Sequence, residues 1–179
     1  RLKILAQVAR ALGAAHSLGI IHKDVKPSNI FMEVDGEGHV QPKLADFGIG
    51  VVVDSAVFKG LDLGFSEGFT LTADASRTGT RMYSAPEYMI GRPPSVQGDI
   101  YSLGVLLYQM VIDDYKRPLG VGWQRDVDDP LLIDDIERCV DVEPQRRLSS
   151  ALELAERLET LEERRAARKR EIAEERERI

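Results

Sequence analysis

The sequence predicts a mainly α fold with one short β-hairpin. Helical patterns occupy most of the chain, two short apolar runs flank a turn at 35–38, and glycine and proline separate the patterned stretches. Arg1 to Leu18 forms the first helix, with Leu5, Val8, Ala9, Leu12 and Ala15 on one face and Gly19 as a stop signal. Ile30 to Val34 and Val40 to Ala45 read as strands around Asp35, Gly36, Glu37 and Gly38. Gly48 to Arg81 is rich in Gly, Ser, Thr and Asp without sustained periodicity, and so long an irregular stretch is usually functional. A strongly apolar helix follows over Val96 to Ile112, and then Tyr115 to Asp129 is irregular, broken by Pro118, Gly120 and Gly122. Two further helices are predicted, Leu131 to Val140 and Ser149 to the end. In the last of these, Leu154, Leu158 and Leu161 can pack inward. From Glu162 the run is mostly Glu and Arg, as in a solvated helix held by i,i+4 charge pairs, with a linker or coiled-coil stalk as the alternative. This divides the chain into a domain over 1–160 and a charged helical extension over 161–179.

At 179 residues, 43% hydrophobic and 30% charged, the chain can bury an ordinary core. A net charge of −6 argues against nucleic acid as a partner. No apolar run reaches the ~20 residues of a membrane-spanning helix. Cys139, the single cysteine, reads as a small buried apolar residue, and a reducing, cytoplasmic setting is expected. The chain starts at Arg1 inside a helical pattern, which points to a piece of a longer protein.

The residues that carry chemistry cluster at His22-Lys23-Asp24-Val25-Lys26-Pro27-Ser28-Asn29 and Asp46-Phe47-Gly48. Phosphoryl transfer needs a carboxylate for the attacking hydroxyl, a cation for the transferred group and oxygen ligands for magnesium. Asp24, Lys26, and Asn29 with Asp46 are of those chemical types, in that order. Pro27 stiffens the backbone between Lys26 and Asn29.

These motifs resemble those of the eukaryotic-type serine/threonine protein kinases, whose catalytic loop, DFG and APE triplets occur in this order. The similarity continues through Thr80 and Ala85-Pro86-Glu87, a stretch resembling the substrate-docking segment. Asp99 resembles the aspartate that braces the catalytic loop, and Arg147 the arginine that pairs with the APE glutamate. The resemblance implies a kinase large (C-terminal) lobe with its hairpin beside the catalytic loop. It makes Asp24 the base, Lys26 a γ-phosphate contact, Ser28 a further nucleotide-side residue, and Asn29 and Asp46 the magnesium ligands, with ATP and Mg2+ as cofactors. Lys26 follows the serine/threonine pattern, so proteins bearing Ser or Thr are the implied substrates. Thr80 is implied to rest against Asp24, its alternative being a phosphorylated loop residue. Pro144 to Ala151 and the Glu/Arg-rich end resemble bacterial receptor-like kinases, implying a membrane anchor or sensor downstream and a place at the inner face of the plasma membrane.

Two departures stand out. Lys23 occupies the usual arginine position of the catalytic loop, and a lysine lacks the fork that grips an activation-loop phosphate. This puts loop phosphorylation at Thr70, Thr72, Ser76 or Thr78 in doubt. Further, no glycine-rich strand–turn–strand and no strand lysine precede the catalytic loop. The ATP-binding small lobe is therefore expected to be absent and the chain alone inactive. Gly48-Ile49-Gly50 reads as activation-segment backbone, and Lys43 as an exposed strand residue. His16 and His22 read as packing or bracing residues, and His39 as a solvated one. The rival readings are a non-catalytic pseudokinase-like scaffold and a small-molecule kinase of the aminoglycoside type, which lacks an APE segment.

Overall fold

Leu5, Val8, Ala9 and Leu12 turn one face of helix α1 (Leu2–Ser17) into the interior, where each is at most 1% exposed. Gly19 closes the helix with φ +74, and its N–H meets the His16 carbonyl at 2.9 Å. The computed structural model describes residues 1–46, 51–52 and 81–178. Strand β1 (Ile20–Ile21) follows α1, then one 3-10 turn at Pro27–Asn29. Strands β2 (Ile30–Val34) and β3 (Val40–Leu44) form an antiparallel hairpin, with Ile30 opposite Leu44 and Val34 opposite Val40. The turn closes on Asp35, whose carboxylate accepts the N–H groups of Glu37 and His39, each at 2.9 Å. His39 lies exposed beside that carboxylate, its Nδ1 3.2 Å from Asp35 Oδ2.

A second strand pair joins β1 to β4 (Val51–Val52), Ile20 facing Val52 and Ile21 facing Val51. The sequence reading has no such pair, because two-residue strands leave no periodicity to detect.

The α-helices that follow are α2 (Pro86–Met89), α3 (Val96–Ile112), α4 (Pro130–Val140), α5 (Ala151–Glu159) and α6 (Leu161–Arg178). Side-chain caps set three of the starts. Ser95 accepts from Gly98 N–H, Asp129 from Leu131 N–H and Ser150 from Glu153 N–H. Helix α3 is apolar on nearly all sides, so it runs through the interior with Ile100, Leu103, Leu106, Leu107 and Tyr108 fully buried. Helix α4 packs against α3, and α5 against α1. Gly104 lies against α4, where an added β-carbon would be 2.4 Å from Cys139 Cβ. Gly104→Ala is therefore expected to lower the unfolding midpoint by about 1–3 kcal/mol of overpacking, as read by chemical denaturation. Cys139 is fully buried, as its sequence context suggests, and burial pushes its thiol pKa up.

One expected element divides in two. The helix predicted from Ser149 to the end breaks at Thr160, whose hydroxyl donates back to the Glu156 carbonyl at 2.7 Å. Beyond the break Leu161 is buried, Arg164 reaches Asp135 at 2.8 Å, and Arg165 reaches Asp129 at 2.7 Å. No described helix is long and apolar enough to cross a membrane.

Candidate active site

The catalytic loop is held by a buried carboxylate. Asp99, in the first turn of α3, is fully buried and accepts two consecutive backbone N–H groups: His22 at 2.8 Å and Lys23 at 2.7 Å. Between them the chain makes a costly turn, since Lys23 takes φ +73, a left-handed conformation that a side chain disfavours. Both oxygens of Asp99 are engaged, and Oδ2 also meets His16 Nε2 at 2.8 Å. The backbone entering Asp24 is thereby fixed from α3 and α1 together.

His22 carries the constraint to the second half of the site. Its Nδ1 accepts the Asp24 N–H at 3.3 Å, so its proton sits on Nε2, which donates to the Ala45 carbonyl at 2.8 Å. Ala45 N–H in turn donates to the Asn29 carbonyl at 2.8 Å. Two hydrogen bonds thus fix the residue before Asp46, itself left-handed at φ +63 and exposed. In this way β3 delivers Asp46 to the same edge as the catalytic loop.

Asp24, Lys26 and Asn29 come together. Lys26 Nζ lies 2.6 Å from Asp24 Oδ2. Asn29, 4% exposed, donates its amide to the Asp24 carbonyl at 2.7 Å and reaches Asp24 Oδ2 at 3.3 Å. With that NH2 committed, Asn29 Oδ1 has only the Ser28 hydroxyl near it among the described residues, at 3.5 Å. Asp46 has no side-chain partner among the described residues. One amide oxygen and one carboxylate are therefore left available, a donor set that suits a hard cation. No three His, Cys, Asp or Glu side chains converge among the described residues, so a metal here would depend on the Asn29 amide oxygen beside the Asp46 carboxylate.

The docking-segment residues are fastened separately. Ala85 is buried, Pro86 opens α2, and Glu87 meets Arg147 in a two-pronged ion pair at 2.7 and 2.8 Å. Arg147 also donates to the carbonyls of Gln97 and Asp141, each at 2.8 Å, and lies 5.0 Å from the centre of the Tyr101 ring. Burial alone would raise the Glu87 carboxyl, but the Arg147 fork and charge, with help from Arg92, hold it below the ordinary carboxylate value. Upstream, Ser102 donates to the Tyr83 carbonyl and the Tyr83 hydroxyl to Gln109 Oε1, both at 2.7 Å.

Sequence reasoning singled out neither Ser102 nor Gln109. The available signal is their polarity inside an otherwise apolar helix, because a buried polar group requires a partner. Phe47, Gly48 and Thr80, like Thr70, Thr72, Ser76 and Thr78, lie outside the described residues.

Residues 1–120 match the family model described as "Protein kinase domain". Among curated relatives, serine/threonine-protein kinase PknD of Protochlamydia amoebophila is 29% identical over 88% of this chain and 18% of its own length. Serine/threonine-protein kinase PkaA of Streptomyces coelicolor is 38% identical over 66% of this chain and 19% of its own length. Serine/threonine-protein kinase PknA of Mycobacterium tuberculosis is 39% identical over 66% of this chain and 23% of its own length. The chain thus spans about a fifth of the length of these relatives. With the family model covering two-thirds of its residues, from α1 through α3, the chain belongs to the protein kinase domain family.

Proposed function

We infer that this chain is the catalytic large lobe, over residues 1–160, of a serine/threonine protein kinase, with 161–179 as a helical extension. The observation that carries the reading is the Asp24–Lys26–Asn29 cluster on a loop clamped by Asp99. In it Asp24 accepts or orients the proton of a substrate Ser or Thr hydroxyl, and Lys26 offsets charge on the transferred phosphoryl. Asn29 Oδ1 and the Asp46 carboxylate would hold Mg2+, which would supply charge neutralisation for the ATP phosphates. Ser28, exposed at the loop surface, faces the nucleotide side. Protein substrates dock along the stretch from Thr80 to Glu87, which the Glu87–Arg147 pair supports from beneath. A cytoplasmic setting belongs to the same proposal, supported by the free, buried Cys139 thiol.

For the chain by itself, the second reading is a non-catalytic binding module. It is favoured because none of the residues ahead of the catalytic loop forms a glycine-rich turn or offers a strand lysine. Positioning of phosphates is most of this catalysis, so the isolated chain is expected to be silent in a radiolabelled-ATP assay on generic protein substrates. Turnover within the ~1–100 s⁻¹ typical of kinases would overturn the view that a separate ATP-binding segment is needed.

A further inference from the structure

Gln109 is a wholly buried amide in the second half of α3, between the equally buried Tyr108 and the apolar Met110. Taking an amide out of water is costly unless its polar atoms find partners inside. Gln109 finds them on two separate segments. Its Oε1 accepts the Tyr83 hydroxyl at 2.7 Å. Its NH2 donates to the Arg117 carbonyl at 3.0 Å and lies 2.9 Å from the Met82 sulfur, a weak acceptor. One side chain thus ties Met82 and Tyr83, just ahead of Ala85-Pro86-Glu87, to the chain beyond α3.

Ser102 makes a second attachment to the same tyrosine. It lies two helical turns earlier, on the same side of α3, and its hydroxyl donates to the Tyr83 carbonyl at 2.7 Å. Ser102 therefore holds the Tyr83 backbone while Gln109 holds its hydroxyl, and a tyrosine gripped at both ends is fixed in place and direction. The same helix carries Asp99, which clamps the catalytic loop. Helix α3 thus serves as one rail for both the loop bearing Asp24 and the docking stretch. Arg117 is held in its turn, since its guanidinium meets Asp126 at 3.2 Å and Asp126 accepts the Tyr108 hydroxyl at 2.6 Å.

We infer that Gln109 is a positioning residue for protein substrates. From inside α3 it sets the docking stretch against the segment beyond the helix, acting through Tyr83 and Arg117 without touching the substrate itself. The inference rests on the kinase reading above, and its test uses the protein joined to its nucleotide-binding segment. Gln109→Met keeps the length and helix preference of the side chain and removes its polar contacts. It is expected to raise the KM for a peptide bearing Ser or Thr about tenfold, the effect of losing one or two hydrogen bonds. The KM for ATP should stay unchanged, and kcat should fall by less than the peptide KM rises. Tyr83→Phe removes one oxygen and keeps the ring, so it carries the test independently of how well Gln109→Met folds, and it too should raise the peptide KM. The double variant is expected to be no worse than Gln109→Met alone, because the two effects travel through one hydrogen bond. A peptide KM that neither single variant changes overturns the inference. An equal rise in the KM for ATP also overturns it, since that marks a general loosening of the protein. A wild-type protein that transfers no phosphate at all overturns the kinase reading and this inference with it, so the two failures are told apart.

Discussion

Arg147→Ala is expected to lower the thermal unfolding midpoint by about 6–20 °C. The reason is the environment of the pair, since the Arg147 side chain is fully buried and that of Glu87 only 5% exposed. A surface ion pair would contribute ~1 kcal/mol at most. Here removing the guanidinium leaves the Glu87 carboxylate buried without its cation and strips two backbone carbonyls, Gln97 and Asp141, of their donor. Breaking a buried pair from one side costs roughly 3–5 kcal/mol, and each kcal/mol moves the midpoint by ~2–4 °C in a chain of this size. The pH dependence has a definite sign. Glu87 is depressed in the folded state, so its stabilising effect is fully present above the ordinary carboxylate range and is lost as pH falls through its lowered folded value. The gap between wild type and variant should therefore be widest near neutrality and narrow in acid. Thermal scans across that range check both statements, and an unchanged midpoint would mean that the pair contributes nothing.

Helices were the most legible part of the fold. Val96–Ile112 emerges with the expected bounds because a long apolar run flanked by a serine cap has few alternatives. The hairpin was readable from its turn chemistry, Asp35 and Gly38 being required where the chain reverses. The β1–β4 pair and the break at Thr160 were not readable. The first depends on residues far apart in sequence, and the second on one hydroxyl bond that leaves the charge pattern unchanged. At the site, residue types suggested the chemistry but not its scaffolding. That His16, on α1, shares a carboxylate with the catalytic loop could not be read from spacing, since the two partners lie 83 residues apart. Left-handed Lys23 was equally hidden, because lysine carries no signal for positive φ; only the clamp from Asp99 makes that turn tenable.

The clamp sharpens what should happen at Asp24. In the protein joined to its nucleotide-binding segment, Asp24→Asn is expected to reduce phosphate transfer by ~10²–10⁴-fold, the usual contribution of a positioned general base. The substitution leaves the scaffold in place. The Asp24 backbone still bonds His22 Nδ1 and the Asn29 amide, and the Asp99 carboxylate still binds His22, Lys23 and His16. What is lost is the anionic oxygen 2.6 Å from Lys26 Nζ and with it the proposed proton acceptor. Nucleotide affinity should change little. Asp46→Asn should behave differently, because a hard cation prefers an anionic oxygen, so magnesium-dependent nucleotide binding should weaken along with transfer. Measuring transfer and nucleotide affinity for both variants separates the two roles: Asp24→Asn lowers the first alone, whereas Asp46→Asn lowers both. Transfer that survives Asp24→Asn, or a joined protein that binds no Mg-ATP, would end the enzymatic reading and leave the scaffold in its place.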